Sequence, residues 1–209
     1  MNFLKVNIIL FFIILSLFSC SKNDDSVIIL PLIAQKVSNL PADPTGINPS
    51  NGQPLAASNR FTLFSFKNNA VVANADSASN QWDIGFRGTI IIVNGGNVRA
   101  GKGGAYIYTG LFDELKSIPE TAVFKTDESA TNLAITTGSG NGWYNYNAAN
   151  NMISPIAGKV LVIRTADGNY AKVEILSYYK DSPVAVDANS LARYYTFRFI
   201  YQPNNSKIF

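Results

Sequence analysis

The sequence predicts an all-β fold: a single domain of packed antiparallel sheets, either a sandwich or an irregular packed-sheet arrangement, with little helix. Three observations predict it. Two runs rich in β-branched residues, Lys159–Arg164 and Tyr170–Leu176, flank Thr165-Ala166-Asp167-Gly168-Asn169. Asp-Gly between such runs marks a hairpin, because the turn needs a positive φ that glycine adopts without steric penalty. Next, Tyr194–Tyr201 alternates, with Tyr195, Phe197, Phe199 and Tyr201 on one face and Tyr194, Thr196, Arg198 and Ile200 on the other. Finally, helical periodicity is almost absent.

Taken in chain order, residues 27–58 are apolar at first and then dense in Pro, Asn and Gly, which predicts an extended lead-in. Phe61–Phe66 is aromatic-rich, Trp82–Arg87 alternates, and Thr89–Val93 is β-branched throughout, so each reads as a strand. Gly95-Gly96 and Gly101-Lys102-Gly103-Gly104 mark a flexible connection between strands. Phe112–Ser117 suits one or two helical turns, stopped by Pro119. The expected organisation is a leader over residues 1–19, a lipidated tether and extended lead-in over 20–54, and the β domain over 55–209.

The leader has a pattern of its own. Lys5 precedes an apolar run from Val6 to Phe18, about 13 residues, too short for a bilayer core that needs roughly 20. It ends in Leu17-Phe18-Ser19-Cys20. This resembles a bacterial lipoprotein signal peptide, with Cys20 as the acylated first residue of the mature chain. The rival is a short anchor with an incidental cysteine, and it is disfavoured because the chain's one cysteine sits where lipidation requires it. Ser21–Ser26 is polar and acidic. It resembles the leader of surface-displayed Gram-negative lipoproteins, and otherwise reads as a solvated tether. The expected location is the outer membrane, facing outward.

Composition closes off many functions. The 209-residue chain has a formal charge of +3, or +2 once residues 1–19 and Lys5 are gone, and it has no basic run. That argues against nucleic acid. With no histidine and no second cysteine, Ser-His-Asp and Cys-His catalysis, the HExxH zinc site, and thiolate or histidine metal centres are excluded. Gly101–Gly104 lacks P-loop spacing and opens into a strand, so a plain loop is the better reading. Asp113-Glu114 and Asp127-Glu128 are adjacent in polar context and read as solvated surface pairs rather than as a glycosidase acid and nucleophile. The expected role is binding, not catalysis.

Trp143-Tyr144-Asn145-Tyr146 follows a glycine-rich stretch and precedes an Asn-rich one that leads to Met152. Aromatic faces beside a loop suit stacking on a flat ligand or a sugar, whereas an alternating strand ordinarily spends them on a core.

Trp82-Asp83-Ile84-Gly85-Phe86-Arg87-Gly88-Thr89, Asn94-Gly95-Gly96, Gly158-Lys159-Val160, Arg164–Gly168, Tyr170–Val173, Tyr194–Arg198 and Tyr201-Gln202-Pro203 stand in an order that resembles the HmuY-like haem-binding lipoproteins. The resemblance covers roughly residues 55–209. It implies a hand-shaped all-β fold with extended loops that grip haem, captured outside the cell and passed to a TonB-dependent outer-membrane transporter. Members ligate iron through histidine or methionine. This chain has no histidine, and Met152 is the sole methionine after the leader. By resemblance Met152 lies about where one axial ligand is supplied, with Trp143, Tyr144 and Tyr146 as neighbouring contacts. The opposite position is then empty, taken by water or filled by a tyrosinate, for which Tyr106, Tyr108, Tyr144 and Tyr146 are candidates, since tyrosine can ligate haem. The alternatives are the same fold holding another porphyrin or a siderophore without axial ligation, or a glycan stacked on Trp143 and Tyr144.

Overall fold

The computed structural model describes residues 32–44, 46, 50 and 56–209. The leader and Cys20 therefore lie outside the described residues. Strands β1 (Gln35–Pro41), β2 (Thr62–Ser65), β3 (Ala70–Val72), β4 (Ile84–Arg87), β5 (Ile90–Val93) and β6 (Gly104–Thr109) precede the hairpin strands β7 (Tyr144–Asn147) and β8 (Met152–Pro155). Then come β9 (Lys159–Arg164), β10 (Tyr170–Tyr179) and β11 (Ala192–Gln202). All pairings between named strands are antiparallel, in sheets ordered β1-β11-β10-β9-β6, β3-β2-β4-β5 and β7-β8. The one described helical element is the 3-10 turn Asn74–Asp76.

The two larger sheets face each other across an aromatic core. Phe64 lies edge-on to Phe197 at 5.5 Å and to Phe199 at 5.9 Å, and Phe86 meets Tyr195 at 4.8 Å. Tyr195, Phe197 and Phe199 are the alternate residues of β11 expected on one face, and all three are buried. Strand β9 behaves differently, because four successive residues, Val160 to Ile163, are fully buried. Leu161 and Ile163 belong to the sandwich core. Val160 and Val162 meet a third layer, in which Phe112, Leu115 and Ile118 cover the sheet's outer face. A strand buried on both faces loses its polar alternation.

The compact unit spans Leu32–Phe209 and so takes in part of the expected lead-in. Within the expected tether, β1 pairs with β11, Gln35 opposite Phe199, and a bulge between Val37 and Leu40 uses Asn39 at φ 58°. The Phe112–Ser117 segment makes a single turn, with Leu115 N–H donating to Leu111 O at 3.2 Å. Buried Lys172 stops it there: its Nζ donates to Phe112 O and Leu115 O, both at 2.8 Å, carbonyls that a longer helix would have used itself.

The glycine-rich connection between β5 and β6 is close-packed rather than loose. A Cβ on Gly95 would lie 2.1 Å from Gly103 O. Gly96 sits at φ 82°, where a Cβ would lie 2.1 Å from Asp127 O. Gly96→Ala therefore meets backbone strain and a backbone clash together, and it is expected to cost more than about 2 kcal/mol. Thermal denaturation of the variant checks this, as a fall in Tm of at least about 5 °C.

The segment that Gly96 approaches holds Asp127, which is fully buried and not the solvated residue its sequence context suggests. Its carboxylate accepts from Val93 N–H at 3.0 Å, Ala134 N–H at 2.8 Å and Arg99 Nη1 at 2.5 Å. It is a loop fastener with every acceptor direction spoken for. Asp113 and Glu114 are exposed as expected, and Asp113 pairs with Arg198 at 3.1 Å.

Candidate functional site

The β7–β8 hairpin organises the candidate site. An Asn-rich turn closes it: Ala149 N–H donates to Asn147 Oδ1 at 2.9 Å, Met152 N–H to Asn150 Oδ1 at 3.2 Å, and Asn151 takes φ 57°. Asparagine suits all three roles, because its side chain mimics a turn and it tolerates the left-handed region. The register pairs Tyr144 with Pro155, Asn145 with Ser154, Tyr146 with Ile153 and Asn147 with Met152. Opposed residues share a face, so Tyr144, Tyr146, Ile153 and Pro155 lie on one side and Asn145, Asn147, Met152 and Ser154 on the other.

The first face is fastened to the sandwich. Trp143 (2% exposed) and Tyr144 (8%) are core residues. The Trp143 ring meets Tyr144 and Tyr195 at 5.0 Å each and Tyr178 at 5.8 Å, and its Nε1 donates to Thr89 O at 3.0 Å. Ile153 N–H donates to the Tyr179 hydroxyl at 2.9 Å. Burial pushes Tyr178 up to about 12 and Tyr195 well above the usual phenol range, so both stay protonated at neutral pH. Trp143 and Tyr144 therefore hold the hairpin in place and offer no ring face to a ligand. Tyr146 is 45% exposed at the hairpin end, where its hydroxyl donates to Asn151 Oδ1 at 2.5 Å. It lies on the opposite face from Met152, so the structure separates two residues that the sequence grouped.

Two clefts flank the hairpin. The first, about 380 Å³, is lined by Tyr106, Ile107, Val123, Lys125, Thr136 and Asn141 among others. Its wall is tied to the hairpin through the 137–142 loop: Gly140 N–H donates to Tyr144 O at 2.9 Å and Tyr146 N–H to Ser139 Oγ at 2.8 Å. Asn145 Oδ1 approaches to 3.9 Å from where a Gly140 Cβ would stand. Asn145 thus stands beside this loop, whose Asn141 lines the first cleft. Met152 is half-buried and belongs to none of the core clusters.

Of the four candidate tyrosines, Tyr106 alone lines the first cleft. Tyr108 is folded over Gly110, where a Cβ would come within 2.5 Å of its ring. Tyr106 therefore faces this cleft with Lys125 as a cation on its lining, and Met152 is not among the lining residues. Sequence reading missed Lys125, Val123, Thr136 and Asn141, which carry no local signal of their own. A second cleft, about 500 Å³, lies on the Ile153 side and is lined by Arg87, Ile90, Tyr178 and Arg193 among others. Both volumes fall in the range of small-molecule sites, ~300–1,000 Å³. No described group of three or more Cys, His, Asp or Glu side chains could hold a bare metal ion.

No curated protein matches the chain. Among solved structures it is similar to an apo HmuY analogue of Tannerella forsythia, at 16% identity and a TM-score of 0.47, covering 83% of this chain and 97% of that one. It is also similar to a protein of Bacteroides vulgatus described as HmuY-like and haem-binding, at 16% identity and a TM-score of 0.48, covering 80% and 90%. Apo PinO of Porphyromonas gingivitis is similar at 15% identity and a TM-score of 0.47, covering 83% and 98%. The model of one family, HmuY protein, matches residues 57–199, more than half of the chain. The chain belongs to the HmuY protein family.

Proposed function

We propose that this protein is a haem-capturing lipoprotein, held at the outer membrane by an acyl group on Cys20. It takes up haem outside the cell for iron acquisition and passes it to a TonB-dependent transporter, without catalysing a reaction on it. The observation that carries this reading is the membership of the HmuY family, together with Met152 held half-buried on the β7–β8 hairpin outside the core clusters. In this reading the Met152 thioether would ligate the haem iron, and Tyr106, which lines the first cleft, would be a candidate for a second ligand. Val123 and Ile107 offer apolar contact to the macrocycle, and Lys125 offers a donor to a propionate. Trp143 and Tyr144 serve as the buried support of the hairpin.

The test is an absorbance titration of the soluble chain beginning at Ser21 with haemin and, separately, with metal-free protoporphyrin. Haemin is expected to show a shifted Soret band and to bind at least about tenfold more tightly than protoporphyrin, a difference of ~1.4 kcal/mol from the iron–ligand bond. Equal binding of the two would favour the second reading, in which the same cleft holds a flat porphyrin or siderophore through contact alone. A free-haemin spectrum throughout would overturn the haem reading. The glycan reading loses its support with the burial of Trp143 and Tyr144, since neither ring is available for a sugar to stack on.

A further inference from the structure

The second cleft is built unlike the rest of the surface. Four of its lining residues, Asp43, Asn59, Gly88 and Arg193, take φ values of 56°, 59°, 53° and 67°. Asp, Asn and Gly adopt that region at modest cost, but arginine has no side-chain device that favours it, and left-handed non-glycine residues concentrate where a side chain is being aimed. Arg193 sits at the mouth of β11, and its Nη1 donates to Asp43 O at 3.0 Å. Across the cleft, Arg87 stacks on Phe61 at 4.4 Å and its Nη1 donates to Asn59 O at 3.1 Å. Both guanidiniums are thus oriented by backbone carbonyls.

Neither guanidinium has a carboxylate within ion-pair distance among the described residues. Asp43 is the one acid on the lining, and its carboxylate is spent on Ser58 N–H at 2.8 Å, Ser58 Oγ at 2.7 Å and Asn59 N–H at 2.8 Å. The chain between Asp43 and Ala57 contains no acidic residue. Tyr178 adds a neutral hydroxyl beside Arg193. Ile90 and Ile153 provide an apolar floor. Asp43 still feels the charge of Arg193 without pairing with it directly, and two oriented guanidiniums above an apolar floor match an oxyanion carried on an apolar body, since a planar guanidinium binds carboxylate and phosphate through paired hydrogen bonds.

We propose that this cleft is a second ligand site, separate from the first, that binds an amphiphile bearing a carboxylate or phosphate, with the oxyanion between Arg87 and Arg193 and the hydrocarbon on Ile90 and Ile153. The site does not depend on the haem reading, because Ile153 and Met152 lie on opposite faces of the hairpin. The same chemistry could come from a free fatty acid or from a lipid headgroup.

Calorimetric titrations of the chain beginning at Ser21 with octanoate, acetate, octanol and dioctanoyl phosphatidic acid test it. Octanoate or the short-chain phosphatidic acid is expected to bind at least about tenfold more tightly than acetate or octanol, and tighter binding of the phosphatidic acid would identify the lipid source. Arg87→Gln and Arg193→Gln are each expected to weaken binding by about ten- to a hundredfold. Arg87→Gln keeps the fold interpretable if Arg193→Gln disturbs its strained strand. Affinity unchanged in Arg87→Gln, or octanoate no better than acetate, would overturn the proposal. So would displacement of bound octanoate by one equivalent of haemin, which would make the cleft part of the haem site.

Discussion

Met152→Ala is expected to weaken binding of reduced haem by more than tenfold, ~1.4 kcal/mol or more, while Tm stays within about 2 °C of the parent. The fold survives because Met152 is half-buried and outside every core cluster. The backbone bond from its N–H to Asn150 Oδ1 does not depend on the side chain. The binding loss follows from ligand chemistry. A thioether is a soft neutral donor that favours the ferrous state and raises the potential, so its removal is felt more in dithionite-reduced than in oxidised protein. Met152→His is the informative companion, because imidazole ligates both oxidation states and should restore affinity with a different Soret position and a lower potential. If Met152→Ala leaves both spectra unchanged, the axial ligand lies elsewhere. Tyr106→Phe is then the next variant, since Tyr106 is the candidate tyrosine that lines the first cleft.

What could be read from the sequence was what depends on local pattern. Asp167-Gly168 between β-branched runs gave away the β9–β10 hairpin, and there Gly168 N–H does donate to Thr165 O at 3.0 Å with φ 93° at Gly168. The aromatic alternation of β11 marked its buried face. What stayed hidden depends on partners far away in the chain. Strand β1 is rich in polar residues and becomes a strand because β11 offers it an edge 150 residues later, with Leu40 opposite Tyr195. Strand β3 is three residues long and follows a turn at Asn69, too little to show any periodicity. Asp127 looked solvated beside Glu128, and only the fold brings Val93, Ala134 and Arg99 to it. The division of the aromatic cluster had the same cause. A strand of four residues does not announce which parity faces inward, and the pairing of Tyr146 with Ile153 decides it.

Asp83→Ala is expected to lower Tm by about 10–15 °C. Asp83 is buried within the Trp82-Asp83 pair that opens β4, and it joins the two sheets through one carboxylate. Oδ2 accepts from Phe66 N–H at 2.9 Å in the turn between β2 and β3, and Oδ1 accepts from Ala166 N–H at 3.0 Å in the turn between β9 and β10. Alanine leaves both donors buried without an acceptor, at roughly 1–3 kcal/mol each, and each kcal/mol is worth about 2–4 °C in a domain of this size. Asparagine retains one acceptor but turns an amide donor toward the other N–H, so it should recover only part of the loss. The pH dependence carries the finer test. Burial, reinforced by the charge of Asp167, outweighs the two N–H donors and raises the Asp83 carboxyl to about 6 from 3.8. Between those values the folded state holds a proton that the unfolded chain has released, so this contribution to stability falls as pH rises through about 4 to 6 and is flat above. Nearby Asp167 runs the other way, because hydrogen bonds from Thr165 and Asn169 outweigh the effect of its burial and leave it lowered. Subtracting the Asp83→Ala melting curve from the parent's at each pH removes most of that opposing trend. The difference in Tm should therefore widen on acidification from pH 7 to pH 4.5. A difference that narrows instead would mean that the two N–H donors outweigh burial and hold the Asp83 carboxyl below its ordinary range.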